Sequence, residues 1–275
     1  MTFFNNNPSS SPEVEKIVGN VTGGSSHTTE LVAVAEDILQ PATENIAVER
    51  EPTPNFKPSP AYRLVYPWGI VKLRLLARLL APRLKVTGTN NIPRRGAVIL
   101  TPNHIAEADP PYIGVFSPRP LWFMAKAELF EMGVLGPIMK FMQAFPVEPE
   151  AADRASLRRA EELLKARQAL VIFPEGRIVP PGEQGTILPG AVMLALRAGV
   201  PVIPVGLCGT EQIVPYGSVI PRPTLAPVRI HFGKSLTFDD LTSLPRREAR
   251  KLAAARLKEG IDHAVHVART GRNAD

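Results

Sequence analysis

Five short apolar runs, at residues 97–101, 121–125, 169–173, 202–207 and 228–232, are separated by stretches of helical spacing at 111–116, 135–143, 153–167 and 190–198. Strand-like runs that take turns with helical ones leave few architectures open, because each buried strand needs the intervening helix to cover it. The expectation is an α/β fold: a largely parallel or mixed sheet flanked by helices, with functional loops at the strand ends. Leu157, Ala160 and Leu164 mark the buried stripe of the 153–167 helix, for which Asp153 is a suitable N-cap. A last basic helix is expected over 245–268, behind Ser243 and with Pro245 in its first turn. No internal repeat is present.

The longest nearly uncharged run, 190–209, contains only Arg197 and has the length of a membrane span. Gly199, Pro201 and Pro204 divide it, so a buried helix followed by a β-branched strand is expected instead. Residues 1–57 are rich in Asn, Ser, Thr, Pro and Glu and read as a disordered N-terminal tail, with a helix possible only over 30–39. Between tail and core, residues 68–80 are dense in apolar and basic side chains. On a helical wheel Trp68, Val71, Leu75, Leu76, Leu79 and Leu80 share one face, with Arg74 and Arg78 together away from it. Lys72 falls within the apolar sector, which a long stem tolerates at a lipid interface better than in a dry core, so an amphipathic membrane-contacting helix is expected.

The 32 Lys and Arg residues exceed the 26 Asp and Glu, for a net charge of +6, which favours an anionic partner. The cations are spread along helices that also carry apolar stripes and are not interleaved with aromatics, so nucleic acid is not the expected partner. The single cysteine, Cys208, excludes an internal disulfide. The first residues lack a basic region followed by an apolar one, so neither a signal peptide nor export is expected.

The run at 97–101 leads into Pro102-Asn103-His104-Ile105-Ala106-Glu107-Ala108-Asp109-Pro110-Pro111. The aspartate lies five positions after the histidine, which on one continuous helix would point them about 140° apart. Asp109 before two prolines has the character of an N-cap, so the preceding loop is free to fold back and bring the carboxylate to the imidazole. A carboxylate so placed fixes the ring tautomer and makes His104 a general base for an alcohol. A second segment, Phe173-Pro174-Glu175-Gly176-Arg177, also follows a strand. There Gly176 lets backbone N–H groups approach an anion, and Arg177 offers a guanidinium suited to phosphate.

These two segments, in this order, resemble the glycerolipid (lysophospholipid) acyltransferase family that includes bacterial 1-acylglycerol-3-phosphate acyltransferases, over roughly residues 60–235. The resemblance implies an acyltransferase domain over 58–275, with an interfacial helix at about 68–80, a catalytic core at about 84–235 and a C-terminal helix at about 245–268. It implies that His104 and Asp109 are catalytic and that Phe173, Pro174, Glu175 and Gly176 help bind the acceptor. Val200-Pro201-Val202-Ile203-Pro204 matches a block associated with the acyl donor. Two positions depart from the family pattern. Arg177 follows Gly176 directly, one place early, and Pro149 stands where an arginine for the acceptor phosphate is expected. Lys126, Arg154 and Arg158 are the candidate replacements.

The implied reaction moves a fatty acyl group from acyl-CoA or acyl carrier protein to a lysophospholipid hydroxyl, most simply that of 1-acylglycerol-3-phosphate, in phospholipid biosynthesis. It needs no cofactor and no metal, and it belongs at an anionic membrane surface, peripheral or monotopic on the cytoplasmic face. No Ser or Cys sits in a nucleophile-elbow pattern, so direct attack by the acceptor is expected rather than an acyl-enzyme. The competing readings are a non-phosphate lipid acceptor, a non-catalytic lipid-surface protein, and a metal hydrolase using His104 and Asp109 as ligands. The last lacks a second His or Cys cluster.

Overall fold

The computed structural model describes residues 60–131, 133, 135–147, 154–218 and 220–272. The expected tail at 1–57, the 30–39 helix, Pro149 and the Asp153 cap lie outside the described residues. In chain order come helix α1 (Pro60–Leu80), strands β1 (Lys85–Thr87) and β2 (Val98–Pro102), α2 (Asp109–Phe116), β3 (Trp122–Lys126), α3 (Glu128–Glu131) and α4 (Leu135–Phe141). There follow β4 (Ala144–Val147), α5 (Arg154–Lys165), β5 (Ala169–Val171), α6 (Pro189–Ala198), β6 (Val202–Cys208), β7 (Arg229–Phe232) and α7 (Arg246–Thr270). The strands form one sheet in the order β1-β7-β6-β2-β5-β3-β4. Pairings from β6 through β4 are parallel, β7 runs antiparallel to β6, and β1 is parallel to β7.

The α/β expectation is borne out, and the strand sequences explain the layering. Every residue of β2 is buried, and its side chains alternate between two apolar layers: Val98 and Leu100 face one, Ile99 the other. The first layer packs under α1 and α2 through Ile70, Ala77, Tyr112 and Ile113. The second packs under α5, α6 and α7 through Leu163, Leu194, Leu257 and Ile261. Gly206 lets α7 close directly onto β6, since a Cβ there would collide with the carbonyl of Ala264. The apolar run at 190–209 is a helix and a buried strand, α6 and β6, as its Gly and Pro residues predict. No helix among the described residues is long and apolar enough to cross a membrane.

Three local expectations need correction. The first helix begins at Pro60, with Pro67 inside it, and so is longer than 68–80. Pro245 precedes α7 as its N-cap in extended backbone and is not in its first turn. Asp109 is the first helical residue of α2, and Ala108 holds the cap position with no side-chain cap bond. Asp109 cannot serve as the cap because its carboxylate turns back to the preceding loop, as described below.

The orientation of α1 leaves its apolar face free, as a membrane-contacting helix requires. Its apolar face, Leu64, Trp68, Val71, Leu75, Leu76 and Leu79, is directed outward, with Trp68 70% and Leu79 65% exposed. The opposite face packs on the domain through Ile70, Leu73 and Ala77. Arg74 reaches inward, where Nε donates to the Val115 carbonyl at 2.7 Å and Nη2 to the Ser117 carbonyl at 3.1 Å. The basic face is thus the domain-facing one in part, because these carbonyls end α2 and need donors. Lys72 lies exposed within the outward apolar face.

Candidate active site

The C-terminal ends of the parallel strands gather the chemistry that the sequence distributes. Strand β2 ends at Pro102, and the buried side chain of Asn103 then ties the loop to β6. Its Nδ2 donates to the Leu207 carbonyl at 3.2 Å while its Oδ1 accepts from the Leu207 N–H at 2.8 Å. This bidentate amide bridge fixes the take-off point of the next residue, His104.

His104 is held from four directions. Its backbone N–H donates to Oε2 of Glu175 at 2.8 Å, and its carbonyl accepts from the Val179 N–H at 2.8 Å. Its ring stacks on Phe173 with centroids 4.0 Å apart. Nδ1 lies 2.9 Å from Oδ2 of Asp109. Since a carboxylate only accepts, Nδ1 carries the proton and Nε2 keeps a lone pair. The His104 side chain is 13% exposed and that of Asp109 is fully buried.

A buried carboxylate needs donors on both oxygens, and Asp109 has them. Oδ2 accepts from the N–H groups of Ile105 at 2.7 Å and Ala106 at 2.9 Å as well as from the imidazole. The fold-back of the loop is therefore made by the carboxylate itself, which closes 105–109 into a turn. Pro110 and Pro111 cause no loss here, because first-turn N–H groups have no partner inside a helix. The second oxygen, Oδ1, accepts from the Thr210 hydroxyl at 2.6 Å.

The segment after β5 supplies the opposing wall. Burial pushes the Glu175 carboxyl above its ordinary value, an effect opposed by the bond from the His104 N–H and by the charge of His104. Glu175 thus meets the histidine loop first, although the resemblance groups it with the acceptor contacts. The Gly176 N–H is committed to the Phe173 carbonyl at 3.1 Å, so the turn uses the donor that the sequence suggested for an anion. The Pro174 carbonyl accepts from the Leu188 N–H at 2.8 Å, which anchors the far end of the long loop. Arg177 is exposed and donates to Glu183 at 2.8 Å, a pairing that holds it on its own loop. Lys126 closes β3 at the same end of the sheet, but its side chain is outside the described residues, as is that of Arg154. Arg158 is exposed on α5.

Sequence reading missed Thr210 and undervalued Asn103. The Gly209-Thr210 pair directly after an apolar strand was the available signal. Gly209 has φ 87°, and a Cβ there would strike the Pro227 carbonyl, so the chain turns sharply after β6 and delivers the threonine to the site.

The helix-flanked sheet that carries this site is similar to that of a solved enzyme. The crystal structure of the 1-acyl-sn-glycerophosphate (LPA) acyltransferase PlsC from Thermotoga maritima superposes with a TM-score of 0.55, at 26% identity over 71% of this chain and 78% of that one. Residues 83–208 match the family model described as Acyltransferase. Among curated relatives, a chloroplast 1-acyl-sn-glycerol-3-phosphate acyltransferase of Brassica napus is 35% identical over 35% of this chain and 28% of its own length. The Bacillus subtilis 1-acyl-sn-glycerol-3-phosphate acyltransferase is 28% identical over 62% of this chain and 81% of its own. The chain spans less than half the length of several of these relatives, 28% to 48% in the Brassica napus, Arabidopsis thaliana and Pseudomonas aeruginosa proteins.

Proposed function

We propose that this protein is an O-acyltransferase that moves a fatty acyl group from acyl-CoA or acyl carrier protein to the hydroxyl of a lysophospholipid, 1-acylglycerol-3-phosphate being the leading acceptor. The observation that carries the reading is the His104–Asp109 pair, with Nδ1 protonated against a buried carboxylate and Nε2 left as base. In this mechanism Nε2 removes the acceptor proton as the oxygen attacks the thioester carbonyl, and Asp109 stabilises the imidazolium that forms. The tetrahedral intermediate then collapses, the C–S bond breaks, and the imidazolium returns its proton to the leaving thiolate. Phe173 stacks on the ring and Glu175 holds the loop, so both support the base, while the rest of Pro174-Glu175-Gly176-Arg177 lines the acceptor side.

The outward face of α1 supports peripheral attachment to a membrane, where an acceptor with an acyl chain resides. That face continues past Leu80, whose carbonyl accepts from the Thr224 N–H at 2.8 Å, toward a loop that exposes Tyr216, Ile220 and Leu225. Lys72 in the middle of the face suits anionic headgroups. Attachment on the cytoplasmic face of that membrane is part of this reading.

Two observations favour a non-phosphate acceptor instead: Arg177 is already paired with Glu183, and Pro149 replaces the arginine that the family pattern expects. Purified protein assayed with acyl-CoA and acyl carrier protein against lysophosphatidic acid, other lysophospholipids and neutral lipid alcohols decides between them. Lysophosphatidic acid is expected to be the preferred acceptor, with turnover lost in His104→Ala. Undiminished turnover in that variant would remove the general-base mechanism, and transfer only to neutral alcohols would remove the phosphate acceptor.

A further inference from the structure

Asp109 makes an uneven set of hydrogen bonds. Three donors converge on Oδ2: the imidazole and the N–H groups of Ile105 and Ala106, all from its own loop. Among the described residues Oδ1 has one, the Thr210 hydroxyl at 2.6 Å, which arrives from 101 residues further along the chain. Both Asp109 and Thr210 are 0% exposed, so the bond is made out of contact with bulk solvent. A carboxylate oxygen left bare in such surroundings either takes up a proton or rotates toward another donor, and either change disturbs the partner of Nδ1.

We infer that Thr210 is a positioning residue for the acyl-transfer site, fixing the rotation and the charge of Asp109 and through it the orientation and tautomer of His104. This rests on the reading of His104 as general base. The hydroxyl suits the task because it donates to Oδ1 at the short distance of a charge-assisted bond. Its main-chain setting is rigid. Gly209 turns the chain out of β6, and the Thr210 carbonyl accepts from the N–H groups of Ile213 at 3.0 Å and Val214 at 3.1 Å. Asn103 clamps the same region by gripping Leu207, three residues earlier. Strand β6 therefore carries both a main-chain anchor for the histidine loop and a side-chain anchor for its carboxylate. Glu175 also lies beside the pair, and it bonds the His104 main chain.

The test compares Thr210→Val, which keeps shape and removes the donor, with Thr210→Ser, which keeps the donor. Turnover is measured with acyl-CoA and the acceptor that the panel identifies. Thr210→Val is expected to lower kcat by about 10- to 100-fold while leaving both KM values within about twofold, and Thr210→Ser to recover most of the loss. In an Asp109→Ala background the further change to Val is expected to cost nothing more, because the hydroxyl then has no carboxylate to hold. Full activity in Thr210→Val, or an equal additional loss in the Asp109→Ala background, would overturn the inference. If Thr210→Val melts early, the Ser variant and the cycle measured below its melting temperature still decide. His104→Ala run alongside separates the two levels. An inactive His104→Ala with a fully active Thr210→Val removes only the role of Thr210, whereas an active His104→Ala removes the base on which it rests.

Discussion

Helices α1 and α7 are both long, basic and amphipathic, yet they meet opposite fates. The 25-residue α7 lays Ala253, Leu257, Ile261 and Ala264 against the sheet and leaves most of its charges toward solvent. The 21-residue α1 turns Leu75, Leu76 and Leu79 outward and sends Arg74 inward to the end of α2. The difference lies in side-chain size at the contact. Small residues and Gly206 let α7 close onto a strand, whereas the bulky side of α1 is left without a partner in the described chain. An amphipathic stripe therefore announces that a helix will be covered, without saying whether protein or lipid covers it.

The largest expected effect tests the α7 side. Leu257→Asp places a charge at a fully buried contact and is expected to cost about 3–5 kcal/mol in urea unfolding. A loss under about 1 kcal/mol would mean that α7 is not part of the core. On α1 the comparison reverses. Leu75→Glu with Leu79→Glu is expected to weaken co-sedimentation with phosphatidylglycerol vesicles by about tenfold or more, with the melting temperature nearly unchanged. Unaltered vesicle binding would break the lipid assignment of that face.

Arginines on the two helices sharpen the contrast further. Arg74→Ala removes two inward hydrogen bonds and is expected to destabilise by about 1–3 kcal/mol, while Arg250→Ala, on the solvent side of α7, stays within about 0.5 kcal/mol. Equal effects would deny that α1 is docked through its basic side. The smallest effect concerns pH. Burial, with the charge of His263 on α7, holds the His231 imidazole below its ordinary 6.5. The unfolded chain then binds that proton more readily than the folded one, so stability is lost as pH falls through that value. Melting temperature is expected to drop between about pH 7.5 and about pH 5.5, and to drop less in His231→Gln, in which the Thr87 contact is kept polar. Parallel curves for the two proteins would assign the pH response to other groups.

The interior of the sheet was legible because its strands carry apolar runs, on both faces in β2 and β6 and on one in β7, and the two strands that escaped notice are its edges. Lys85-Val86-Thr87 is three residues long and half exposed, and Ala144-Phe145-Pro146-Val147 contains a proline, which argues against a central strand but is tolerated at an edge. Within the site, His104 and Asp109 were legible as a pair because they share one loop. Glu175 was visible as a residue, but its bond to the His104 main chain was not, because a main-chain partner leaves no mark in the sequence.

Local order alone thus determined the alternation of strands and helices, the loop that joins an imidazole to a carboxylate five residues on, and the existence of an apolar stripe on α1. These follow from periods of two and 3.6 residues and from turn chemistry, all of which act over a few positions. Tertiary structure decided that Arg74 of α1 turns inward to the end of α2 and which threonine completes the hydrogen bonding of Asp109. Burial supplies the reason: a side chain acquires its environment only when the sheet brings residues about a hundred positions apart into one water-excluded place.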